Sequence, residues 1–157
     1  MRLTVHTDYA LRTLLYLGLH GERLGSIRAI AQAYDISENH LTKVVHRLGR
    51  GGFVNTVRGR GGGICLARPP AAIRIGDVVR RTEEDMALVE CFGSANTCRI
   101  TAACRLRGAF DEALRAFLAV LDGYTLADLL GAPEMLADTL GLAVPTASLT
   151  PPLPLRA

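Results

Sequence analysis

Two short stretches of helical periodicity, separated by only three residues, constrain the fold of this 157-residue chain more than any other feature. The first follows Ser26, a residue type that caps helices, and places apolar residues 27, 30, 31 and 34 on one face. The second follows Ser37, spans residues 38–50 and places apolar residues 41, 44, 45 and 48 on one face. The sequence therefore predicts two capped helices that pack together across a tight turn.

The outer face of the second predicted helix is polar. It carries Asn39, His40, Thr42, Lys43, His46 and Arg47. Two short helices joined by a three-residue turn, the second with hydrogen-bonding side chains outside, are typical of a helix-turn-helix, whose second helix enters the major groove of DNA. A small helical bundle with a solvated face would give the same pattern, so both interpretations remain open at this point.

The segment that follows predicts a β-hairpin. Residues 53–57 and 64–66 have the composition of short strands, and the Arg-Gly-Arg-Gly-Gly-Gly run at 58–63 suits a hairpin tip. A hairpin directly after a recognition helix is the wing of a winged-helix domain. Arg58 and Arg60 at such a tip can enter a minor groove, where negative potential is concentrated. The alternative is a solvated Arg-Gly loop without a binding role.

The charge of the chain is distributed unevenly. Residues 1–60 hold nine Arg and Lys against four Asp and Glu, a balance of +5, whereas the remainder holds nine against eleven, a balance of −2. An excess of positive charge on one small module is typical of a nucleic-acid binder. We therefore predict contacts with double-stranded DNA from three groups of residues. These are Asn39, His40, Lys43 and Arg47 in the major groove, Arg58 and Arg60 at the minor groove, and Ser26 and Arg28 on phosphates; Ser37 is also predicted to contact DNA.

Three of the four cysteines, Cys91, Cys98 and Cys104, lie within fourteen residues in a C-x6-C-x5-C arrangement. Thiolates are soft ligands that suit zinc or the iron of an iron–sulfur cluster, and both usually require four ligands. All four histidines precede residue 47, so a local site of three cysteines and one histidine cannot form. A carboxylate is the expected fourth ligand. Three free thiols without a ligand are the alternative, and Cys65 is expected to pack in the wing.

The chain contains no apolar run long enough to span a bilayer, and its first residues lack a secretory signal. We therefore expect a cytoplasmic protein without a membrane partner. Cysteines remain reduced in that compartment, which favours metal binding over disulfide formation.

A long apolar helix is predicted over residues 106–121. One row of apolar side chains repeats at alternating steps of four and three, and a second row flanks it. The rows contain Leu106, Phe110, Ala113, Phe117 and Val120, and then Leu114, Leu118 and Leu121. The pattern predicts a dimerisation helix that ends at Gly123, although a helix that folds back on its own domain would share the periodicity.

Together these patterns predict a mainly α protein with a small β-hairpin. Residues 1–68 form a winged helix-turn-helix DNA-binding head, whose first helix is capped by Thr7 or Asp8 and runs to about Leu19. Residues 69–104 form a connecting helix, over 75–82, and a cluster-binding loop. Residues 105–130 form the dimerisation helix and a short C-terminal helix that Thr125 caps. Residues 131–157 hold five of the seven prolines and are expected to be a weakly ordered tail.

Several blocks, in order, resemble one family. They are residues 3–12, 37–41, 57–64, 73–79 and 124–129, together with the three cysteines. In these blocks the chain is similar to NsrR-type nitric-oxide-sensing iron–sulfur repressors, which belong to a winged-helix family that also contains IscR-type regulators. The resemblance covers about residues 1–130. IscR-type regulators carry a histidine three residues after the last cysteine, where this chain has Arg107, which favours the NsrR type.

The resemblance implies a homodimeric repressor that binds a palindromic operator and responds to nitric oxide. It further implies one iron–sulfur cluster per subunit, held by Cys91, Cys98, Cys104 and Asp8 of the partner subunit. The cluster can be [2Fe–2S] or [4Fe–4S], and its nitrosylation is expected to abolish operator binding. We expect no enzymatic activity. A regulator of iron or oxidant status, an iron–sulfur electron-transfer protein and a zinc-stabilised adaptor remain alternatives.

Overall fold

The computed structural model describes residues 2–142, and over these residues the chain forms seven α-helices and one two-stranded antiparallel sheet. In chain order the elements are α1 (Val5–His20), α2 (Ile27–Tyr34), α3 (Glu38–Arg50), β1 (Val54–Val57), β2 (Gly63–Leu66), α4 (Ile75–Thr82), α5 (Arg105–Asp122), α6 (Leu126–Leu129) and α7 (Pro133–Thr139). This is the predicted mainly α fold with one hairpin. Within that described range, no helix is both long and apolar enough to cross a membrane.

The first helix begins earlier than the sequence suggests. Thr4 is its capping residue, because the Thr4 hydroxyl accepts the backbone N–H of Thr7 at 3.3 Å. The prediction that Thr7 or Asp8 caps this helix is therefore wrong. Thr7 is fully buried, and its hydroxyl donates to the hydroxyl of Thr82 at the end of α4, at 2.9 Å.

The helix-turn-helix is formed by α2 and α3, whose bounds match the prediction. Ser26 caps α2 by accepting the N–H of Ala29 at 3.0 Å, and Asp35 ends it in the left-handed conformation with φ of 51°. Ser37 occupies the position before α3, but its side chain makes no capping hydrogen bond, so that part of the capping prediction is wrong. The four predicted apolar residues of α3 are all buried: Leu41, Val44, Val45 and Leu48.

The wing is the antiparallel pair of β1 and β2, in which Val54 lies opposite Leu66 and Val57 opposite Gly63. Strand β2 of the wing is attached to the loop between α1 and α2. Gly25 and Ile64 exchange both of their backbone hydrogen bonds, each at 2.8 Å. The orientation of the wing is therefore fixed relative to α2.

An apolar core lies around α1. Leu14, Leu17, Ile30 and Leu48 are almost completely buried in it, and Ile73, Val78 and Leu126 join the same cluster. The core thus extends past residue 68, the predicted end of the head. Because α4 and α6 complete this core, the connecting segment is built onto the head and is not a free linker.

The C-terminal end of α5 is joined to the head. The guanidinium of Arg80 on α4 donates to both carboxylate oxygens of Asp122, at 2.7 and 2.6 Å. Residue 76 on α4 is glycine, and a Cβ there would collide with the Asp122 carboxylate. Just beyond α5, Arg74 and Thr125 form a backbone bridge. These contacts hold the end of α5 against α4.

The long helix α5 contains no buried residue in the single chain. Leu106 is 59% exposed and Val120 is 62% exposed. Other members of the two predicted rows are half-buried, namely Phe110, Leu114, Phe117, Leu118 and Leu121. The chain therefore does not fold back far enough to cover this helix with its own described residues.

A weakly ordered tail was predicted from residue 131 onwards, and this prediction is wrong for the first residues of that segment. Pro133–Thr139 form α7, and Ala137 is buried at 1% exposure. Proline suits the first turn of a helix because its missing N–H would have no helical partner there. Leu142 packs against the core. The remainder of the predicted tail, 143–157, lies outside the described residues.

Candidate nucleic-acid interface and cysteine loop

The polar face of α3 is presented to solvent, opposite the four residues that α3 buries. Asn39, His40 and Lys43 are exposed, and Arg47 is half-buried. Ser37 is also exposed, and its hydroxyl makes no capping bond. These five side chains precede or line one face of a helix. That face carries the hydrogen-bonding groups that base edges and phosphates require.

Two further groups of predicted contact residues are also exposed. Ser26 and Arg28 lie at the start of α2, where the Ser26 oxygen accepts a backbone N–H and its hydroxyl hydrogen remains able to donate to a phosphate. Arg58 and Arg60 lie at the tip of the wing. Gly59 between them has φ of 104°, a conformation that other residues rarely adopt, so the tight turn depends on glycine.

Asp8, the carboxylate implied as a cluster ligand, lies in the first turn of α1. Arg12 binds it through two hydrogen bonds, from Nη2 to Oδ2 at 2.8 Å and from Nε to Oδ1 at 3.1 Å. The Arg12 guanidinium also lies 6.0 Å from the ring centre of Tyr9 and 5.9 Å from that of Tyr34. Burial raises the pKa of Tyr34 to about 12, although the positive charge of Arg12 lowers this pKa in part.

The same group of side chains reaches the recognition helix. The ring of Tyr9 lies 6.4 Å from the ring of His40, centre to centre. Asp8 is thereby connected through Arg12 and Tyr9 to a residue of the predicted DNA interface. Arg12 is not among the residues predicted from the sequence, although its spacing of four residues from Asp8 is the usual signal of an ion pair on a helix.

The cysteine loop connects α4 to α5. Cys91 and Cys104 are half-buried, Cys98 is exposed, and all three are free thiols. Short 3-10 turns span Glu90–Phe92 and Thr101–Ala103, and Cys104 is the residue before the first turn of α5. An open groove of about 950 Å³ lies beside the loop and includes Cys104 and Arg107 in its lining.

Side-chain hydrogen bonds that were not predicted from the sequence organise this loop. The Glu90 carboxylate accepts the backbone N–H of Thr97 at 2.8 Å and also its hydroxyl. These bonds lower the pKa of Glu90. Asn96 and Thr101 hold the backbone of Cys98 in turn.

The loop does not gather its thiols into a finished metal site. Within residues 2–142, no group of three or more His, Cys, Asp or Glu side chains lies close enough to hold a metal ion. The donor chemistry still fits an iron–sulfur group, because three free thiols share one short loop and soft thiolates are the usual ligands of cluster iron. Cys91, Cys98 and Cys104 are the residues that could hold it. Cys65 lies on β2 opposite Asn55 and is half-buried.

Comparison with known proteins identifies the family. The family model Rrf2, described as an iron-dependent transcriptional regulator, matches residues 3–132. This chain belongs to the Rrf2 family. It is 58% identical over 132 residues to the HTH-type transcriptional regulator NsrR of Geobacillus kaustophilus, covering 83% of this chain and 90% of that protein. The NsrR of Bacillus subtilis is 54% identical over 132 residues, covering 82% and 90% of the two chains.

Solved structures agree with this assignment. The IscR structure of T. potens superposes with a TM-score of 0.69 at 27% sequence identity, covering 87% of this chain and 90% of that one. Membership of the Rrf2 family makes this chain a DNA-binding transcription regulator and not an enzyme. The electron-transfer and zinc-adaptor interpretations therefore lose their support.

Proposed function

We propose that this chain is a homodimeric transcription repressor that binds a palindromic operator and releases it in response to nitric oxide. An iron–sulfur cluster held by Cys91, Cys98, Cys104 and Asp8 of the partner subunit is the proposed sensor. The observation that carries the proposal is the loop of three free thiols between a winged-helix head and an exposed long helix, in an Rrf2 chain 58% identical to an NsrR. A DNA-binding regulator acts where the chromosome is, which agrees with the expected cytoplasmic location.

The exposure of α5 supports the homodimer. A helix of 18 residues without one buried side chain leaves a large apolar surface in contact with water. The same surface on a second copy would cover both, and closed two-fold pairs are the commonest assemblies. Two heads related by such an axis suit half-sites one helical turn, about 34 Å, or a multiple apart.

The proposed contacts divide by type. Asn39, His40, Lys43 and Arg47, with Ser37 before them, would contact base edges in the major groove. Ser26 and Arg28 would bind phosphates, and Arg58 and Arg60 would enter the minor groove. Phosphate contacts supply affinity without sequence preference, whereas the α3 side chains select the operator. All of these side chains are exposed except Arg47, which is half-buried, so they are accessible to DNA.

When bound, the cluster supplies iron that reacts with nitric oxide. The protein's own contribution lies in the residues that surround Asp8. Once Asp8 is free of other ligands, Arg12 of the same helix binds it with two hydrogen bonds. Arg12 also contacts Tyr9 and Tyr34, and Tyr9 contacts His40 on α3. A change in the bonding of Asp8 can therefore be transmitted to the recognition helix α3 through the side-chain contacts of Arg12 and Tyr9.

A titration tests the proposal directly. Protein purified without oxygen is expected to contain iron and sulfide, and to lose operator binding as nitric oxide is added, with a matching change in its absorption spectrum. Protein that is free of iron under these conditions would refute the proposal. Unchanged operator binding after iron removal would refute it as well.

A regulator that responds to iron supply or oxidants is the second candidate, and the description of its family model as iron-dependent favours it. The same preparation separates the two. Release of the operator by an iron chelator or by superoxide at doses where nitric oxide has no effect would favour the second candidate.

A further inference from the structure

One hydrogen-bonded pair in the cysteine loop has the same spacing as two of its cysteines. Glu90 immediately precedes Cys91, and Thr97 immediately precedes Cys98. The Oε1 atom of Glu90 accepts the Thr97 backbone N–H at 2.8 Å and the Thr97 hydroxyl at 2.5 Å. The pair therefore closes a span of seven residues, the span that separates the two cysteines.

A second set of bonds fixes the backbone of Cys98. Its N–H donates to Oδ1 of Asn96 at 3.0 Å, and its carbonyl accepts the hydroxyl of Thr101 at 2.7 Å. The side-chain amide of Asn96 donates to the Thr101 oxygen at 2.9 Å, which joins the two contacts. With both backbone groups of Cys98 engaged, the direction of its Cα–Cβ bond is restricted.

We infer that Glu90 is a positioning residue, whose carboxylate holds Thr97 and thereby keeps Cys91 and Cys98 close together before any ligand binds. Closing a flexible loop costs conformational entropy, and a ligand that meets a closed loop does not bear that cost. The inference rests on the proposed function for the nature of the ligand. It rests on the loop contacts alone for the role of Glu90.

The first experiment needs no metal. The full-length protein is equilibrated without metal in glutathione buffers, where oxidising Cys91 and Cys98 to a disulfide reduces one oxidised glutathione to two thiols. The equilibrium constant reports the effective concentration of the two cysteines. Glu90→Gln replaces a charged acceptor with a neutral one and should lower this constant about fivefold. Peptide mass mapping identifies the bonded pair.

Matched variants separate positioning from general charge or stability effects. Glu112→Gln removes the same charge from an exposed position of α5 and should leave the constant unchanged. Thr97→Val removes the hydroxyl and should lower the constant, whereas Thr97→Ser retains the hydroxyl and should restore it. Far-ultraviolet circular dichroism checks that all variants fold.

The second experiment measures iron release to a chelator from protein reconstituted without oxygen. Glu90→Gln should release iron about fivefold faster than the wild type, because a less ordered loop recaptures iron more slowly. The inference would be overturned if Glu90→Gln had the same equilibrium constant for disulfide formation as the wild type. It would also be overturned if Glu112→Gln lowered that constant as much as Glu90→Gln. If the thiol equilibrium shifts while the wild type binds no iron, the positioning role stands and the cluster proposal fails.

Discussion

The buried hydrogen bond between Thr7 and Thr82 joins the start of α1 to the end of α4, and its removal has a predictable cost. The two hydroxyl oxygens are 2.9 Å apart, and the residues are 0% and 1% exposed. Thr82 also donates to the carbonyl of Val78 at 2.8 Å. In Thr7→Val the shape of the side chain is nearly kept, but the Thr82 oxygen loses its only side-chain donor among the described contacts.

The expected loss follows from these contacts. A net hydrogen bond contributes about 1 kcal/mol, and a buried acceptor left without its donor adds to the cost, so Thr7→Val should lower the free energy of unfolding by about 1–2 kcal/mol. For a chain of this size that corresponds to a fall in Tm of about 2–6 °C. Thr82→Val should cost less, because the Thr7 hydroxyl can turn to the Thr4 oxygen, 3.2 Å away.

A double-mutant cycle is the appropriate assay. Urea unfolding of the wild type, both single variants and Thr7→Val/Thr82→Val is compared at one protein concentration, because assembly makes apparent stability depend on concentration. The double variant should lose about 1 kcal/mol less than the two single losses combined, since neither hydroxyl then remains without a partner. Strictly additive losses would refute the reasoning.

Three other predictions concern the interface, the wing and pH. Lys43→Ala should weaken operator binding by about 1–3 kcal/mol, whereas Arg99→Ala in the cysteine loop should not, and equal affinities in a fluorescence anisotropy titration would remove Lys43 from the interface. In Gly63→Ala the added Cβ would lie 2.5 Å from the carbonyl oxygen of Gly25. This variant should therefore be less stable by about 1–3 kcal/mol and should bind the operator more weakly. A thermal melt like that of the wild type would contradict this prediction. Burial, and then Arg23, lower the pKa of His20, so its contribution to stability is present above its unfolded pKa of about 6.5 and is lost as pH falls through the folded pKa. His20→Phe should therefore lose less stability than the wild type between pH 7 and 5 in urea titrations, and parallel curves would exclude this role.

The helix-turn-helix and the long helix could be predicted from the sequence because their signals are local. The bounds of α2 and α3 follow from an apolar period near 3.6 residues between capping and turn residues. The same periodicity gave α5 to within one residue at each end. Family membership, in turn, could be recognised from separate blocks in the right order.

The features that were missed depend on distant parts of the chain. Thr4, Thr7 and Asp8 are all capping types, and what excludes Thr7 is its bond to Thr82, 75 residues away. The helix α7 was missed because seven residues give too little periodicity, and its stability comes from burying Ala137. The sequence contains the Glu90 and Thr97 pair, but nothing in residue type alone shows that a loop will fold so that they meet.

The hydrogen bonds between Arg80 and Asp122 form a joint between the head and the C-terminal end of α5. A rotation of the head about this joint would displace the opposite end of α5. Its 18 residues extend about 27 Å at the helical rise of 1.5 Å per residue. Cys104 lies at the far end from the joint. Each degree by which the head tilts about that joint would therefore displace the cysteine by roughly half an ångström, and a tilt of about five degrees by roughly 2 Å. Such a displacement is comparable to the length of one metal–sulfur bond, so a modest tilt of the head would be enough to make or break the coordination that we propose for Cys104.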